Sequence, residues 1–396
     1  MARFQPPEDR DPLRVLFVHT FMPVGGAETL LVNLIRRLDR ARFSPEVCCL
    51  KFPGPLGEVI AKEVPLHTGL LANKYDLRVL QRLVKLIRAR RIDAVVTVGA
   101  GDRMFWGRLA ARIARVPVVL TALHSTGWPD VIGRLNRSLT KITDGFIAVA
   151  EEHARYLRDV EGFPAEKVFI APNGVNVQRF APRPRNAALR EVLKIPVDAP
   201  TVGIVAALRP EKDHHQFLRV AQSILKERSD AHFLIVGDGD LRPALKTCAK
   251  DLGVADSVHF LGTRDDVPEL LCEMDVVTLT SKMEANPVTI LEALAAGRPF
   301  VAPNVGSIAE TLLDGRNGYI APPGDEATMS NHIVQLLNAP ELANRLGAAG
   351  RERVVKHFSL ERMVESYEDL IESIYREKCM PFGDDQAKSA KIHLSK

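Results

Sequence analysis

The sequence has few cysteines, and their spacing does not indicate a metal or disulfide site. Five occur among 396 residues, namely Cys48, Cys49, Cys248, Cys272 and Cys379, and none forms a C-x-x-C pair. A zinc ribbon needs such pairs, and a small secreted scaffold needs a denser cysteine framework. Neither class is therefore indicated, and five unframed thiols fit a reducing compartment.

Long apolar runs are also missing. No run approaches the roughly 18 residues that a membrane span needs. The first residues, MARFQPPEDRDPLR, are polar and have no apolar core of a secretory signal. The sequence therefore predicts a cytoplasmic protein, and peripheral attachment to the inner membrane face is left open.

Strong charge of one sign is absent as well, since the formal net charge is only +4. That value does not indicate nucleic-acid binding. The charge is uneven, however. Residues 1–175 carry 26 Lys+Arg against 18 Asp+Glu, whereas the remaining 221 carry 27 against 31. A basic half and an acidic half suggest different partners.

Short apolar runs alternate with amphipathic segments through the first half of the chain. Buried strands are predicted at 14–20, 93–99, 117–123 and 145–150. Helical apolar spacing occupies 27–39, 76–91, 103–115 and 130–143. Strands that are apolar throughout and separated by helices predict a parallel sheet covered on both faces.

The alternation breaks at about 172–200, which is rich in Pro and Arg, and then restarts. Further strands are predicted at 201–207, 232–237, 258–262, 275–280 and 298–303. The predicted fold class is α/β, with two doubly wound, Rossmann-like domains, 1–175 and 176–359, across a cleft. A last helix at about 360–378 has no strand after it, and we expect the tail 380–396 to be disordered.

Ligand sites in such sheets lie beyond the carboxyl ends of the strands. After the first strand, Gly25-Gly26 precedes a helix and fits either an anion or substrate loop or a plain turn. His124 follows the strand at 117–123, where it can bind a substrate hydroxyl, move a proton or cap the next turn. His19 has a similar position, and we expect it to be a bystander.

The strongest charge signal follows the strand at 201–207. Arg209 and Lys212 lie three positions apart at a strand end and a helix start, where two cations suit a diphosphate. The alternative is a solvated loop in which Glu211 and Asp213 neutralise them. After the next strand, Asp238-Gly239-Asp240 reads as D-x-D, a metal-binding pattern. We instead interpret Asp240 as a helix N-cap.

The stretch MEANPVTILEALAAGRP, from Met283 to Pro299, holds two glutamates, Glu284 and Glu292. Pro287 precedes a helix whose first amides, at Val288 and Thr289, would face a ligand. Carboxylates accept paired hydrogen bonds from the vicinal hydroxyls of a hexose or a ribose. Two such carboxylates beside an anion site fit a sugar nucleotide, and the alternative is an amphipathic helix with solvated glutamates.

These motifs resemble those of the GT-B glycosyltransferases, specifically glycosyltransferase family 4 (group 1). The resemblance covers about 14–378 and rests on the order and spacing of several short segments. They are PVGGAE, APNGV, ALRPEKDH, LIVGDGDLR, FLGTRDDVPELL, the E-x7-E of Glu284 and Glu292, and GSIAETLLDGRNGYIAPPGD.

The resemblance implies a retaining transferase with a UDP- or GDP-linked sugar donor, no required metal and no cofactor. It implies that Arg209 and Lys212 hold the diphosphate, and that Glu284 approaches the sugar. A Gln at position 284 is therefore expected to leave nucleoside diphosphate binding almost unchanged. The last helix is expected to cross back onto the first domain, and the acceptor is a glycan or a lipid-linked molecule.

Further site residues come from the same resemblance. Glu292 takes the ribose, His124 contacts the sugar, and Gly25-Gly26 lies near phosphate and acceptor. The donor-binding set also includes Arg264, Asn286, Val288 and Thr289. Many relatives have Gly-Phe after the first Glu, whereas this chain has Ala285-Asn286-Pro287. The donor sugar is therefore not identified by the motif.

Two other functions are possible on the same architecture. A nicotinamide-dependent oxidoreductase would need G-x-G-x-x-G after its first strand, and VGDGDLRPA lacks the third glycine. A non-catalytic sugar-nucleotide-binding protein would not need the charged set. On the acceptor side, the basic helix 76–91, with Arg134, Arg137 and Lys141, fits either an anionic lipid surface or an ordinary solvated face.

Overall fold

The computed structural model describes residues 12–73, 76–99, 102–124 and 137–379, without the side chains of 102 and 103. The chain divides into two compact units, Met1–Pro172 with Glu361–Lys396, and Asn173–Leu360. The predicted helix at 130–143 lies partly, and the tail 380–396 entirely, outside the described residues.

The first unit contains one seven-stranded parallel sheet. Its strands are β1 (Leu13–His19), β2 (Phe43–Cys49), β3 (Leu66–His67), β4 (Ala94–Val98), β5 (Val118–Ala122), β6 (Gly145–Ala148) and β7 (Val168–Ile170). They are ordered β3-β2-β1-β4-β5-β6-β7, and each neighbouring pair is parallel. The predicted parallel α/β sheet is confirmed.

Amphipathic helices cover this sheet. They are α1 (Gly26–Arg37), α2 (Gly54–Ile60), α3 (Arg78–Arg90), α4 (Asp102–Ala114) and α5 (Glu151–Asp159). In α3 the buried residues are Val79, Leu83 and Ile87, four positions apart, and the cations lie on the other faces. This spacing is what predicts the helix from the sequence.

Strand β2, which lies between the edge strand β3 and β1, is not predicted from the sequence. Its sequence, FSPEVCC, contains Pro45 and Glu46, and both residue types argue against a buried strand. Glu46 is nevertheless buried, because Arg90 and His67 satisfy its carboxylate at 2.8 and 2.7 Å. These tertiary ion pairs therefore allow a buried carboxylate in a strand, which the local sequence pattern argues against.

The second unit contains a six-stranded parallel sheet. Its strands are β8 (Thr201–Val205), β9 (His232–Val236), β10 (Val258–Gly262), β11 (Val276–Thr278), β12 (Phe300–Pro303) and β13 (Gly318–Ala321). The order is β10-β9-β8-β11-β12-β13. All five predicted strands are present, and β13 was not predicted.

Eight helices belong to this unit among the described residues. They are α6 (Ala187–Leu193), α7 (His214–Leu225), α8 (Arg242–Asp251), α9 (Val267–Glu273), α10 (Val288–Ala295), α11 (Ile308–Thr311), α12 (Glu326–Asn338) and α13 (Pro340–His357). One apolar core joins them to the sheet and includes Phe217, Phe233 and Phe300.

The last helix, α14 (Leu360–Cys379), returns to the first unit, as predicted. Arg42 binds Glu368 and Glu372 of α14 at 2.9 and 2.8 Å. The Lys378 ammonium donates to the carbonyl of Pro117 at 2.8 Å. Ion pairs in the middle of the helix and a hydrogen bond near its C-terminal end therefore hold it on this unit. In the described part of the chain, no helix combines the length and apolar character of a membrane span.

Candidate functional site

The strand order of the second unit determines where its chemistry lies. The chain starts at β8, moves outward through β9 and β10, and then crosses back to β11 on the other side of β8. The point where the direction reverses, between the neighbouring strands β8 and β11, is the usual ligand position in sheets of this kind. The predicted residues Arg209 and Lys212 follow β8, and Glu284 follows β11.

The loop after β8 is short and sharply turned. Arg209 precedes the 3₁₀ turn Pro210–Lys212, and Asp213 adopts a left-handed conformation with φ of 45°. The Asp213 side chain then caps α7 by accepting from the amide of Gln216 at 3.3 Å. Next to it, burial and the charge of Lys212 lower the pKa of His214 to about 4. His214 is therefore neutral at physiological pH.

The loop after β11 is fastened to the loop after β8. The Thr280 hydroxyl lies within hydrogen-bond distance of the carbonyls of Lys212 (3.0 Å) and Asp213 (2.9 Å). The amide of Lys282 donates to the carbonyl of Glu211 at 2.9 Å. These contacts hold the two segments in one register.

Lys212 and Glu284 form a close ion pair between the two loops. The Lys212 Nζ–Glu284 Oε1 distance is 2.6 Å, and the side chains are only 23% and 7% exposed. Arg209 is exposed, and among the described side chains it has no ion-pair partner. The site therefore combines one free cation with one cation that a carboxylate already holds.

The backbone around Glu284 is fixed by close packing. Gly306 has φ of 53°, and a Cβ there would lie 1.6 Å from the carbonyl oxygen of Glu284. The Ser307 hydroxyl donates to the carbonyl of Ala285. The buried Asn173 amide, from the APNGV segment, donates to the carbonyl of Asn286 at 2.8 Å. A larger residue at 306 would displace this loop.

Helix α10 carries the second glutamate. The helix begins at Val288 with no side-chain cap on its first amides, so its N-terminus keeps hydrogen-bond donors. The Thr289 hydroxyl donates to the carbonyl of Val205 at 3.0 Å and ties the helix to β8. Desolvation raises the pKa of the Glu292 carboxyl to about 7, and the charge of Arg179 opposes part of that rise. Glu292 keeps some surface open to solvent.

Arg264 was predicted to bind donor, and the structure places it in a local pair. Its guanidinium forms two hydrogen bonds to the Asp266 carboxylate, at 2.7 and 2.6 Å. This pairing raises the pKa of Arg264 and lowers that of Asp266. A ligand at this loop would meet a neutralised arginine.

The helix-cap interpretation of Asp240 is wrong. Helix α8 begins at Arg242, its N-cap position is Leu241, and no side chain caps it. Asp238 instead accepts from the amide of Gly239 at 2.8 Å and from Arg242 at 2.7 Å. Among the described residues, no three His, Cys, Asp or Glu side chains are grouped to hold a metal ion.

The glycines of this D-x-D segment have a packing role. A Cβ on Gly237 would lie 2.0 Å from the carbonyl oxygen of Ala206, and one on Gly239 would lie 2.5 Å from that of Leu208. The loop after β9 therefore packs directly on the backbone of the loop after β8. This explains two closely spaced glycines without a dinucleotide.

The first unit presents its own predicted residues at strand ends. Gly25 is the N-cap of α1, and its carbonyl accepts from the amide of Thr29 at 2.9 Å. Gly26 is the first, exposed residue of that helix. His124 lies just after β5 and is partly exposed, and the residues that follow it, 125–136, lie outside the described residues.

An exposed aromatic pair next to this glycine loop was missed. Phe21 follows β1 and Phe52 follows β2, and their ring centroids lie 5.1 Å apart. They are 36% and 55% exposed, and Val24 beside them is 64% exposed. Exposed clusters of this kind mark binding surfaces more often than scattered single residues do. Single loop aromatics carry no periodic signal in the sequence.

Two family models match the chain. The model of glycosyl transferases group 1 matches residues 186–353, and the model of glycosyltransferase family 4 matches residues 24–179. The chain is a GT-B glycosyltransferase of the family 4 type. The resemblance seen in the sequence is therefore confirmed.

Relatives of this glycosyltransferase span most of its length. The UDP-Gal:alpha-D-GlcNAc-diphosphoundecaprenol alpha-1,3-galactosyltransferase of Escherichia coli is 25% identical over 376 residues, covering 90% of this chain and 96% of the relative. The D-inositol 3-phosphate glycosyltransferase of Streptomyces scabiei is 28% identical and covers 86% of each. A GDP-mannose-dependent alpha-(1-6)-phosphatidylinositol monomannoside mannosyltransferase of Mycobacterium tuberculosis is 29% identical, covering 76% and 80%.

Solved structures agree with the fold of this glycosyltransferase. The Anabaena protein HepE, in complex with UDP and glucose, has a TM-score of 0.82 at 21% identity, covering 91% of this chain and 100% of that one. A glycosyltransferase from Rickettsia africae has a TM-score of 0.80 at 22% identity, covering 92% and 99%. At this identity the likeness concerns the fold alone.

Proposed function

We propose that this glycosyltransferase transfers a sugar, with retention, from a UDP- or GDP-linked donor to a lipid-linked or glycan acceptor. The observation that carries the proposal is the arrangement at the β8 and β11 exits. Two cations and a buried carboxylate meet there beside the uncapped N-terminus of α10. This set matches the parts of a sugar nucleotide.

The diphosphate is assigned to Arg209, Lys212 and the first amides of α10, at Val288 and Thr289. Cleavage of the bond between the sugar and the β-phosphate leaves one additional negative charge on a phosphate oxygen of the departing nucleoside diphosphate, and preorganised cations stabilise such charge without moving. A helix N-terminus adds its partial positive charge at the same place. Asn286 positions these amides through its backbone, which Asn173 holds.

The two glutamates are assigned to the two diols of the donor. Glu284 lies at the Lys212 end of the site and is assigned to the sugar. Glu292 lies on α10 and is assigned to the ribose. Each carboxylate offers two oxygens, which suits paired hydrogen bonds from vicinal hydroxyls. The family role of His124, contact with the donor sugar, and of Gly25-Gly26, near phosphate and acceptor, belongs to the same proposal.

Two observations support retention without a metal. Two of the relatives are named for the α linkages that they form, and an α-linked product from an α-linked donor means net retention. Both carboxylate oxygens of Asp238 are engaged by Gly239 and Arg242. The cations Arg209 and Lys212 offer charge compensation at the diphosphate.

The acceptor side is assigned to the first unit. Phe21 and Phe52 offer exposed apolar surface beside the glycine loop, which suits an acceptor with an apolar part. Relatives are named for acceptors linked to diphosphoundecaprenol and phosphatidylinositol. Helix α3 adds the exposed cations Arg78, Lys85 and Arg88, which support peripheral contact with anionic lipid.

The test is a donor panel. UDP- and GDP-linked hexoses are incubated with the enzyme, with and without a lipid extract, and nucleotide release is measured in the presence and absence of excess EDTA. We expect release from one nucleotide class, stimulated by lipid and insensitive to EDTA. The anomeric configuration of the product is then read by NMR. Failure of every donor to release nucleotide above a Lys212→Ala control would contradict the proposal.

A further inference from the structure

The ion pair between Lys212 and Glu284 affects the relative affinity of the site for different ligands. Both groups are largely removed from water, and they satisfy each other at 2.6 Å. Under the roles proposed above, however, each is needed by a different part of the donor. Lys212 is needed by the diphosphate, and Glu284 is needed by the sugar. A ligand that separates the pair must therefore give Lys212 a new acceptor and Glu284 a new hydrogen-bond donor.

A ligand that gives a new partner to only one member of the ion pair binds less favourably. A buried carboxylate that loses its cation and gains no hydrogen-bond donor carries an uncompensated desolvation penalty. A ligand that takes Lys212 by its phosphates and offers nothing to Glu284 meets this penalty. A ligand that also brings sugar hydroxyls avoids it, because the hydroxyls donate to the carboxylate in place of Lys212.

Glu284 cannot escape the penalty by turning into solvent with its loop. Thr280 and Lys282 fasten the segment to the loop after β8. On the other side, Gly306 packs against the carbonyl of Glu284 so closely that even a Cβ has no room. The backbone of Glu284 is therefore held beside the loop of Lys212, and its side chain, only 7% exposed, lies largely out of water.

We propose that exchange of partners at the Lys212–Glu284 pair makes the site favour the intact sugar nucleotide over the nucleoside diphosphate product. This inference rests on the proposed function. The intact donor satisfies both members of the pair, whereas the product takes Lys212 and leaves Glu284 with no donor. Arg209, which has no competing carboxylate among the described residues, holds donor and product alike. The pair therefore weakens product binding and favours its release.

The experiment compares nucleoside diphosphate affinity in matched variants. UDP and GDP are titrated calorimetrically into the wild type, Glu284→Gln and Lys212→Met. Glu284→Gln keeps the shape and removes the negative charge that competes for Lys212. We expect its diphosphate dissociation constant to fall about tenfold or more, since hydrogen bonds to charged groups are worth about 1.5–3 kcal/mol. This revises the expectation, from the sequence alone, of almost no change.

The double variant Lys212→Met/Glu284→Gln is the control for simple charge repulsion. If partner exchange is the cause, removing Glu284 in the Lys212→Met background tightens diphosphate binding much less than it does in the wild type. Glu284→Ala serves as the second carboxylate variant, and thermal melts verify folding of each. Should Glu284→Gln melt early, Glu284→Ala carries the same expected tightening.

The outcomes separate this inference from the proposed function. Unchanged or weaker diphosphate binding in both carboxylate variants, or equal tightening with Met at 212, would overturn the inference alone. The proposed function is judged by Arg209→Ala, which should weaken UDP or GDP binding at least about tenfold. If the wild type binds neither nucleotide, or binds one independently of Arg209, the proposed function is overturned as well.

Discussion

The two units use the same kind of strand-end loop for different chemistry. In the second unit, the loops after β8 and β11 are joined by the Lys212–Glu284 ion pair and by the Thr280 hydroxyl on two carbonyls, and they also carry Arg209. In the first unit, the loops after β1 and β2 carry glycines and exposed rings. One pattern suits a ligand of fixed charge, and the other suits close approach and apolar contact.

Under the proposed roles, this difference separates the residues that bind the donor from those that contact the acceptor. Paired, partly buried charges are sensitive to any single change, because each loss leaves a partner unsatisfied. Exposed apolar loop residues such as Phe52 can be exchanged at little cost to the fold. We therefore expect substitutions in the second unit to act on the nucleotide and on turnover, and those in the first to act on the acceptor.

The largest effect is expected from Lys212→Ala. Loss of a preorganised donor at a developing oxyanion lowers turnover by about two orders of magnitude or more. Steady-state nucleotide release measures it, and a thermal melt verifies folding. Lys250→Ala, an exposed lysine of α8, removes the same charge elsewhere in the unit. Near-normal turnover in Lys212→Ala would remove this residue from the mechanism.

Glu292→Gln is expected to weaken nucleoside diphosphate and donor to a similar extent. A neutral amide replaces charge-assisted hydrogen bonds to the ribose, worth about 1.5–3 kcal/mol, so affinity falls about 10- to 100-fold. Calorimetry with UDP and GDP measures the change. Because Glu284→Gln is expected to act in the opposite direction, the same shift in both variants would show that the two roles are assigned wrongly.

Donor-site affinity is also expected to depend on pH through Glu292, whose pKa is raised to about 7. An ionised carboxylate accepts hydrogen bonds from two hydroxyls more strongly than a protonated carboxyl does, so affinity is expected to fall as pH drops below 7. If only the ionised form binds, the loss from pH 8 to pH 6 is about tenfold. The phosphates of the ligand also titrate in this pH range. The pH dependence of affinity in Glu292→Gln measures their contribution alone. Equal pH profiles in wild type and variant would contradict the assignment.

The aromatic pair of the first unit provides a smaller effect of another kind. Phe52→Ser removes half of the exposed ring contact, worth about 0.5–1.5 kcal/mol, and should raise the KM for an apolar acceptor about three- to tenfold. Turnover and the KM for the donor should stay within error. Val192→Ser, at an exposed valine of the second unit, is the control. A change confined to the donor KM would contradict the assignment of acceptor binding to the first unit.

The sequence predicts the fold well where patterns are local. In the second unit, apolar runs predict five of the six strands, β8 to β12, and in the first unit helical spacing predicts α3. Strand β2 is not predicted, because Pro45 and Glu46 are unfavourable by local rules, and the short strands β3, β7 and β13 are not predicted either. Burial of Glu46 depends on Arg90 and His67, which are distant in sequence and therefore absent from any local window.

The candidate site shows the same limit. Strand-end position and family resemblance select Arg209, Lys212 and Glu284, but they do not show that two of these bind each other across 72 residues. The pairing of Arg264 with Asp266 was open to detection, since the two are neighbours in the loop. Cap residues depend on the helix start, which sequence patterns place only within a few residues.

Asp240→Asn is expected to have the smallest effect, and it sharpens the description of the second unit. Asp240 is exposed and caps no helix, since α8 starts at Arg242 with no side-chain cap. Turnover, the thermal midpoint and activity in excess EDTA should therefore all match the wild type. Asp238→Asn is the informative neighbour. It weakens the contacts to Gly239 and Arg242, and we expect only a small loss of thermal stability, because solvent screens exposed ion pairs. Loss of turnover in Asp240→Asn, together with EDTA inactivation that Mn²⁺ reverses, would instead assign a metal to this loop. That metal, together with Arg209 and Lys212, would then stabilise the negative charge of the departing diphosphate.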